Sequence, residues 1–236
     1  MDNPFLPKYT GNRGIVEAEE KAKVLKEAIE IALLAGEKLK SYWGKIAKVE
    51  SKSYFWDLVT EADVASEQVI LQELKKRFPS HDVLSEEAGF KEQTDHSYQW
   101  MVDPLDGTTN FTHQFPMVSI SIGLLYQGTP IIGVVYNPIL NELFEGAIGL
   151  HACLNGEPLS VSKVDSINQS LLATGFAYDR KETKDNNFAE FCRLTNMTQG
   201  VRRLGSAALD LAFVAAGRLD GYWERGLKPW DMAAGI

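Results

Sequence analysis

Apolar residues recur at three- and four-residue spacings near the start of the chain, with glutamates and lysines between them. This period predicts an amphipathic helix over residues 15–43, because one face of a 3.6-residue repeat can then be buried. A second apolar stripe predicts a helix over residues 64–78, and Asp63 directly before it is expected to be the N-cap residue. The first clear strand is predicted at residues 98–102.

The rest of the chain is patterned as short strands that are separated by turn residues and, later, by helices. Runs of β-branched and aromatic residues predict strands at 118–126, 131–136, 142–146, 171–174 and 222–224. Helices are predicted at 186–194, at 207–215 and from Trp230 onward. This order of helices, antiparallel meander and alternating elements favours a layered α/β (α+β) fold. We place a division between a lobe of residues 1–160 and a lobe of residues 161–236.

Composition narrows the classes of partner. With 236 residues, of which 44% are hydrophobic, the chain can bury a sizeable core. The net charge of −8 argues against binding to nucleic acid or anionic membranes, which requires clustered Lys and Arg. The N-terminus lacks an apolar signal segment and the most apolar run, residues 118–125, is too short to span a membrane, so a cytoplasmic location is expected. A phosphorylated substrate is compatible with this charge if metal cations reverse it locally.

A loop that follows the strand at residues 98–102 combines features of a metal site. The strand runs into Asp103, Pro104 interrupts regular pairing, and Asp106 follows, so both carboxylates can turn toward one point. The carbonyl of Leu105 between them is a third candidate oxygen. Hard cations such as Mg²⁺ prefer this all-oxygen environment.

The same loop continues with features of a phosphate site. Gly107 permits close backbone approach to a ligand. A helical turn that starts at Thr108 would present free N–H groups, and such ends bind phosphate. Either aspartate taken alone is more typical of a capped turn, because Asp-Gly-Thr is common turn chemistry. The full eight-residue string of residues 103–110 is much more specific.

Three further acidic segments are ordinary when each is taken alone. Ser85-Glu86-Glu87 is typical of a solvated surface, residues 57–63 are typical of helix capping, and Asp231 would lie in the first turn of a helix. Each segment nevertheless lies at the boundary of an apolar element, where layered folds place active-site residues. Several carboxylates that converge without a cation would repel one another, so metal ions are expected among them.

Two long segments and several shorter ones together resemble the inositol monophosphatase family, as a bacterial-type member. Residues 100–111 (Trp-Met-Val-Asp-Pro-Leu-Asp-Gly-Thr-Thr-Asn-Phe) look like its first signature, and residues 230–235 (Trp-Asp-Met-Ala-Ala-Gly) look like its second. The shorter pieces stand in the family order: Asp57-Leu58-Val59-Thr60, Ser85-Glu86-Glu87, Gly205-Ser206-Ala207-Ala208 and Glu224. The resemblance runs from about Ile15 to the last residue. It implies an alternating αβαβα sandwich of the sugar-phosphatase type.

The resemblance implies which positions bind metal. Glu86, Asp103 and the carbonyl of Leu105 would hold a first Mg²⁺. Asp103, Asp106 and Asp231 would hold a second. These ligands come mostly from the first lobe, and Asp231 comes from the second.

The resemblance also implies the catalytic and substrate-binding positions. Asp63 and Thr108 would position and polarise the attacking water, and Glu86 would share a third, weaker ion near Lys52. Gly107 and Thr108 would offer N–H groups to the phosphate. The pocket for the substrate hydroxyls would be lined by Asp106, Gly205, Ser206, Ala207, Glu224 and Asp231.

By this resemblance the expected reaction is hydrolysis of inositol monophosphate to inositol and phosphate, by direct attack of a Mg²⁺-activated water and without a covalent phospho-enzyme. A homodimer and inhibition by lithium are implied as well. Alternatives within the same chemistry are a fructose-1,6-bisphosphatase, a histidinol-phosphate phosphatase and a nucleotide 3′-phosphatase. A non-catalytic protein-interaction role is the alternative of another class. Family members usually continue beyond the second signature, so the resemblance implies a chain truncated at its C-terminus within the second lobe.

Overall fold

The computed structural model describes residues 18–91 and 95–236 of the chain. Helix α1 (Ala18–Tyr42) buries one face of its apolar stripe. The helix predicted over residues 15–43 is confirmed within this described part, and its first three residues and the preceding segment lie outside it. No helix of the described part is long and apolar enough to cross a membrane.

Two short strands, β1 (Val49–Ser51) and β2 (Leu58–Thr60), precede helix α2 (Glu61–Arg77). The N-cap of α2 is Thr60, so the expectation that Asp63 is the N-cap is wrong. Asp63 lies at the third helical position, and its carboxylate accepts a hydrogen bond from the Thr60 N–H at 2.8 Å. The Thr60 hydroxyl accepts in turn from the N–H of Ala62 at 3.1 Å. This reciprocal capping satisfies N–H groups that a helix start leaves free.

The central sheet has eight strands. They are β3 (His81–Ser85), β4 (Gly89–Lys91), β5 (Asp95–Asp106), β6 (Ser119–Tyr126), β7 (Thr129–Asn137), β8 (Glu142–Ala147), β9 (Cys153–Leu154) and β10 (Glu157–Pro158). Their spatial order is β10-β9-β8-β7-β6-β5-β3-β4. Strands β5 to β10 pair antiparallel in sequence order, which confirms the predicted meander, whereas β3 pairs in parallel with β5.

The hydrophobic pattern does not predict the four short strands β1 to β4. Each has only three to five residues, and β1 is exposed along its whole length. Such segments are too short for a periodic signal, so pairing with a neighbouring strand decides their conformation.

The second half of the chain builds a smaller sheet and most of the remaining helices. Its elements, with the short helix between β5 and β6, are α3 (Thr108–Thr112), β11 (Leu171–Thr174), α4 (Phe188–Met197), β12 (Gly200–Arg202), α5 (Ala207–Ala215), β13 (Gly221–Trp223) and α6 (Pro229–Met232). The three strands are parallel, in the order β12-β11-β13. The predictions for β11 and α5 are confirmed to the residue. Helix α4 begins later than predicted, because the Asn187 amide bonds to Thr174 on β11 instead of continuing the helix.

The two faces of the large sheet carry different helices, because successive side chains of a strand alternate in direction. Ile122 and Val134 face α1 and α2 and belong to the larger apolar cluster. Val135 points the other way, into a second cluster with Leu209 of α5 and Ala173 of the small sheet. Helix α4 packs against β12 beyond that sheet. The layers therefore alternate helix, sheet, helix, sheet, helix, which confirms the expected αβαβα sandwich.

The change from the large to the small sheet falls between Pro158 and Leu171, near the division placed at residue 160. The second apolar cluster nevertheless contains residues of both sheets. The division into lobes 1–160 and 161–236 stays a prediction.

Two glycines allow the segment that carries Asp231 to lie directly on the large sheet. A Cβ added at Gly133 would stand 2.2 Å from the carbonyl oxygen of Ala234, and one added at Gly123 would stand 2.8 Å from the Cβ of Ala233. Neither distance is sterically allowed. The position of α6, and with it the position of Asp231, thus depends on the absence of side chains at these two positions.

Gly133→Ala is therefore expected to destabilise the protein by about 1–3 kcal/mol, because the added methyl group overpacks the contact with Ala234. Urea unfolding measures this loss. Gly146→Ala is the matched control, since its Cβ would meet Ala152 at an ordinary 3.4 Å. Equal stability of the two variants would contradict the proposed close packing of α6.

Candidate active site

The loop at the end of β5 turns two carboxylates out of the sheet. Asp103 pairs with Ser121 on β6, and the next paired residue is Asp106 with Ser119, so the register shifts across Pro104. Pro104 has no N–H to donate to the ladder. The Leu105 N–H donates to Asp103 Oδ1 at 3.0 Å and closes a tight turn.

Gly107 makes the link between this loop and α3. Its φ of 96° lies in the left-handed region, where glycine is favoured. A Cβ there would stand 2.9 Å from the carbonyl oxygen of Met117 and 3.1 Å from that of Gly205. The absence of a side chain at Gly107 therefore allows a close approach of the chain's own backbone, and its expected approach to a ligand stays a prediction. This backbone approach brings the loop before α5 against the loop that follows β5.

Asp63 and Thr108 form a hydrogen-bonded pair that joins α2 to the start of α3. The Thr108 hydroxyl lies 2.8 Å from Asp63 Oδ1 and 3.2 Å from the carbonyl oxygen of Leu105. Asp63 Oδ2 accepts from the Thr60 hydroxyl at 2.6 Å, so both carboxylate oxygens are held. Burial raises the pKa of Asp63, and the hydrogen bonds from Thr60 and Thr108 oppose that rise. A threonine hydroxyl aligned by a buried carboxylate can orient a water and relay its proton.

Asp106 connects the first loop to the N-terminus of α5. Its Oδ2 accepts from the Ser206 hydroxyl at 2.7 Å and from the Ala208 N–H at 2.8 Å, and the Ala207 N–H also bonds to this carboxylate. Gly205, with a φ of 84°, makes the turn into this helix. Burial raises the pKa of Asp106 to about 7, although the hydrogen bonds from Ser206 and Ala208 oppose the rise. Oδ2 thus ties the first loop to both the N-cap residue and the first turn of α5.

Glu86 stands directly after β3 and faces a lysine. Lys52 Nζ lies 2.8 Å from Glu86 Oε1 and 2.5 Å from Glu87 Oε1. Burial lowers the pKa of Lys52, but the two glutamates outweigh this effect and the pKa lies above its ordinary value. Burial raises the pKa of Glu87 to about 7. The sequence places Lys52 near this position through the family resemblance alone.

Asp231 and Glu224 approach from the second half of the chain. Asp231 Oδ2 accepts from the Lys228 N–H at 2.6 Å, and burial raises the pKa of Asp231 to about 7. Glu224 accepts from the Tyr222 hydroxyl at 2.5 Å and lies against Gly175, where any side chain would collide with its carboxylate. Burial also raises the pKa of Glu224.

Three of these acidic groups, Glu86, Asp106 and Asp231, lie near enough to Asp103 to influence it, and Asp103 is only 3% exposed. Burial raises the pKa of Asp103 well above its ordinary value, and the nearby charges of Glu86, Asp106 and Asp231 add to this rise. Buried carboxylates that lie near one another repel, and a bound cation offsets that repulsion. Their oxygens, with the Leu105 carbonyl, are the donor type that a hard cation such as Mg²⁺ takes.

The carboxylates are close to one another without forming a finished metal shell. Within residues 18–91 and 95–236, no three acidic, histidine or cysteine side chains stand close enough together to hold a metal ion. Lys52 occupies one oxygen of Glu86 instead. The residues therefore fit a metal site by chemistry and charge, while Glu86 is paired with Lys52 in this structure.

Two buried acids near the site are absent from the sequence-based expectations. Glu67 bonds to the segment around Glu86, and Asp210 lies near Asp106 and Glu224, which contribute to its raised pKa. Glu67 follows Asp63 by four residues, and Asp210 follows Ser206 by four. The two residues of each pair therefore lie on the same side of a helix. This four-residue spacing from a predicted site residue is the signal that identifies Glu67 and Asp210 as candidates.

Asp210 provides a pH-dependent test of this environment. Burial, followed by the charges of Asp106 and Glu224, raises its pKa to about 8, and its Oδ1 has no hydrogen-bond partner among the described residues. The unfolded group releases its proton near pH 4 whereas the native group retains it, so stability falls as the pH rises from about 4 to about 8.

Asp210→Asn removes this titration. We expect the variant to be more stable than the parent by about 2 kcal/mol at alkaline pH, with the difference shrinking toward acid pH. Urea unfolding across the pH range, in the presence of a chelator, measures it. Parallel pH profiles for the two proteins would contradict the assignment.

Buried carboxylates beside an aligned hydroxyl, at one end of an αβαβα sandwich, are typical of metal-dependent phosphatases. Comparison with known proteins agrees with this class. A sequence profile described as the inositol monophosphatase family matches residues 20–236. The chain belongs to that family and is a phosphoric monoester hydrolase.

Individual relatives show the extent of the likeness. An inositol-1-monophosphatase of Synechocystis sp. is 56% identical over 212 residues, which are 90% of this chain and 74% of the relative. The Nus factor SuhB of Escherichia coli is 45% identical over 179 residues, which are 76% of this chain and 67% of that protein. The structure of inositol monophosphatase from Anabaena (Nostoc) matches with a TM-score of 0.83 at 52% identity, over 91% of this chain and 79% of that chain.

Proposed function

We propose that this protein hydrolyses inositol monophosphate to inositol and phosphate with Mg²⁺ as cofactor. The observation that carries the proposal is the burial of Asp103 near the carboxylates of Glu86, Asp106 and Asp231, because buried like charges repel one another and divalent cations offset that repulsion. The name of the Synechocystis relative supports this substrate. The small phosphorylated polyol would lie between the two halves of the chain.

The proposed metal ligands are the oxygens of Glu86, Asp103, Asp106 and Asp231 and the carbonyl of Leu105. Bound there, Mg²⁺ would act as a Lewis acid that makes a water easier to deprotonate and offsets the negative charge of the phosphate and the leaving group. Asp103 would contribute to this ligand set from its buried position near Glu86, Asp106 and Asp231. Asp106 would coordinate through the oxygen that Ser206 and Ala208 do not hold.

The chain's own groups then orient the attacking water. Thr108 can accept a hydrogen bond from that water while its own proton is directed at Asp63 Oδ1. Because burial raises the pKa of Asp63, its carboxylate is a stronger base than an exposed one. We assign to Gly107 and Thr108 the N–H groups that contact phosphate.

Substrate hydroxyls are assigned to the side of the site formed by the second half of the chain. Glu224 and Asp231 are acceptors there, and Glu224 is held by Tyr222. Ser206 is fixed by its bond to Asp106, which links the polyol side to the metal side. The loop and helix start at Gly205, Ser206 and Ala207 complete the proposed pocket.

Phosphate release from inositol monophosphate, fructose 1,6-bisphosphate, histidinol phosphate and a nucleoside 3′-phosphate tests the proposal. We expect inositol monophosphate to give the highest kcat/KM, a chelator to abolish release and Mg²⁺ to restore it. Preference for another member of the panel would retain the reaction and replace the substrate. Absence of Mg²⁺-dependent release from every member would overturn the proposal.

A protein-interaction role is the second candidate, favoured by the likeness to Nus factor SuhB. This role is compatible with catalysis, because a binding surface for another protein and an active site can lie on different parts of one molecule. Binding of purified transcription machinery to the parent protein and to the Asp103→Asn variant would separate the two. A homodimer, lithium inhibition and a cytoplasmic location also stay predictions, and light scattering measures the first.

A further inference from the structure

One face of helix α2 contacts three separate segments of the site. Asp63 holds Thr108 and Thr60, as described above. Ser66 donates its hydroxyl hydrogen to the carbonyl oxygen of Pro104 at 2.8 Å. Glu67, one turn after Asp63, reaches the segment that follows β3. A single rigid helix thereby sets the relative positions of the three segments.

Glu67 is a buried carboxylate, 6% exposed, that receives three hydrogen bonds on one oxygen. The Ser85 hydroxyl, the Ala88 N–H at 2.9 Å and the Glu87 N–H at 3.2 Å all donate to Oε1. No Lys, Arg or His side chain forms an ion pair with Glu67 in the part of the chain that the structure describes. A buried carboxyl group is costly unless it is hydrogen-bonded, and these three donors satisfy Oε1.

The three donors flank Glu86 on both sides along the chain. Ser85 precedes Glu86, and Glu87 and Ala88 follow it, while the Glu86 N–H itself donates to the Val102 carbonyl oxygen at 3.1 Å. The backbone on either side of Glu86 is therefore tied to α2 and to β5. None of these hydrogen bonds involves the Glu86 side chain. The effect of Glu67 on Glu86 is therefore transmitted through the backbone.

We propose that Glu67 is a positioning residue that fixes the turn carrying Glu86 and so sets the affinity of the site for its divalent cation. The proposal rests on the proposed function, in which Glu86 is a metal ligand. We call the three hydrogen bonds from Ser85, Glu87 and Ala88 to Glu67 the clamp. Groups that orient a metal ligand typically increase metal affinity 10- to 100-fold, and we expect an effect of this size from the clamp. Loss of the clamp would free the turn and leave the other ligands in place.

The test compares Glu67→Gln with the parent by calorimetric titration of Mg²⁺. Gln keeps the shape and can place its carbonyl oxygen where Oε1 receives the three hydrogen bonds, but an amide oxygen is a weaker acceptor than a carboxylate oxygen, and the amide NH2 takes the place of Oε2. We expect the Kd for Mg²⁺ to rise about 10- to 100-fold and kcat at saturating Mg²⁺ to change much less. Glu73→Gln, which removes an acid on the same helix that bonds to Arg77, is the matched control and is expected to leave the Kd unchanged.

A second control distinguishes a specific effect of Glu67 on metal binding from a general effect on the stability of the fold. Val83→Ala shortens a buried side chain on β3 and lowers stability without touching the clamp. We expect it to lower the midpoint of urea unfolding with no change in the Mg²⁺ Kd. If Glu67→Gln does not fold, Ser85→Ala replaces it, since it removes one donor and is expected to weaken Mg²⁺ binding in the same direction.

An unchanged Mg²⁺ Kd in a folded Glu67→Gln or Ser85→Ala variant would overturn the inference. An equal rise of the Mg²⁺ Kd in Val83→Ala would overturn the inference as well, because a general loss of stability would then be enough to explain the weaker binding. If the parent itself binds no Mg²⁺, the proposed function fails first. The parent titration therefore distinguishes failure of the function from failure of the inference.

Discussion

Asp103→Asn is expected to lower kcat/KM for phosphate release by about 10³-fold or more while the protein stays folded. The lost charge belongs to the proposed metal ligand set, so transition-state stabilisation of about 4 kcal/mol or more disappears with it. Asn retains an oxygen that can accept from the Leu105 N–H. It also removes one of the mutually repelling carboxylates, so stability without metal is not expected to fall.

Phosphate release and urea unfolding of the same preparation measure this result. Asp185→Asn is a suitable control, because Asp185 is an exposed acid that pairs with Arg225 in the second half of the chain. It has the same change of charge and is expected to keep parental activity. Near-normal turnover of Asp103→Asn would remove the basis of the metal assignment.

Asp63→Asn is expected to lower kcat about 10²- to 10⁴-fold, the usual contribution of a general base. The amide can still accept a hydrogen bond from Thr60 or Thr108, but it cannot take up the proton of the attacking water. The Mg²⁺ Kd is expected to stay unchanged, because Asp63 is not among the proposed ligands. Steady-state kinetics at saturating Mg²⁺ and calorimetric titration measure the two quantities.

A double-mutant cycle with Thr108→Val sharpens this second prediction. If Thr108 and Asp63 act as one unit, the double variant loses hardly more activity than either single variant. Losses that multiply would show that the two residues act separately. Parental kcat in Asp63→Asn would exclude it as the base.

Much of the fold follows from local pattern. The predictions for β11 and α5 match to the residue, because each is a compact apolar segment between strong turn signals. Strands β1 to β4 are not predictable in this way, since their pairing with distant segments decides them. The start of α2 shows the same limit on a smaller scale. Both Thr60 and Asp63 are good capping residues, and only the reciprocal bonds between them decide which one is the N-cap.

The candidate site also contains residues that the sequence identifies and contacts that only the structure shows. Signature motifs mark Asp103, Asp106 and Asp231 without any structure. Neither motif nor spacing shows that Lys52 pairs with Glu86 and Glu87, because these residues are more than thirty positions apart. The environment of Asp210 depends equally on packing, since burial is the first cause of its raised pKa.

The sequence by itself determined the family, the layered fold class and the residue types available for metal and phosphate chemistry, because these depend on local patterns and contiguous motifs. The tertiary structure decided how α2 ties three segments together through Asp63, Ser66 and Glu67, and how glycines at positions 123 and 133 let α6 lie on the sheet. These features depend on distances between residues far apart in the chain. Burial and charge proximity, which set the pKa values of the site, exist only once the chain has folded.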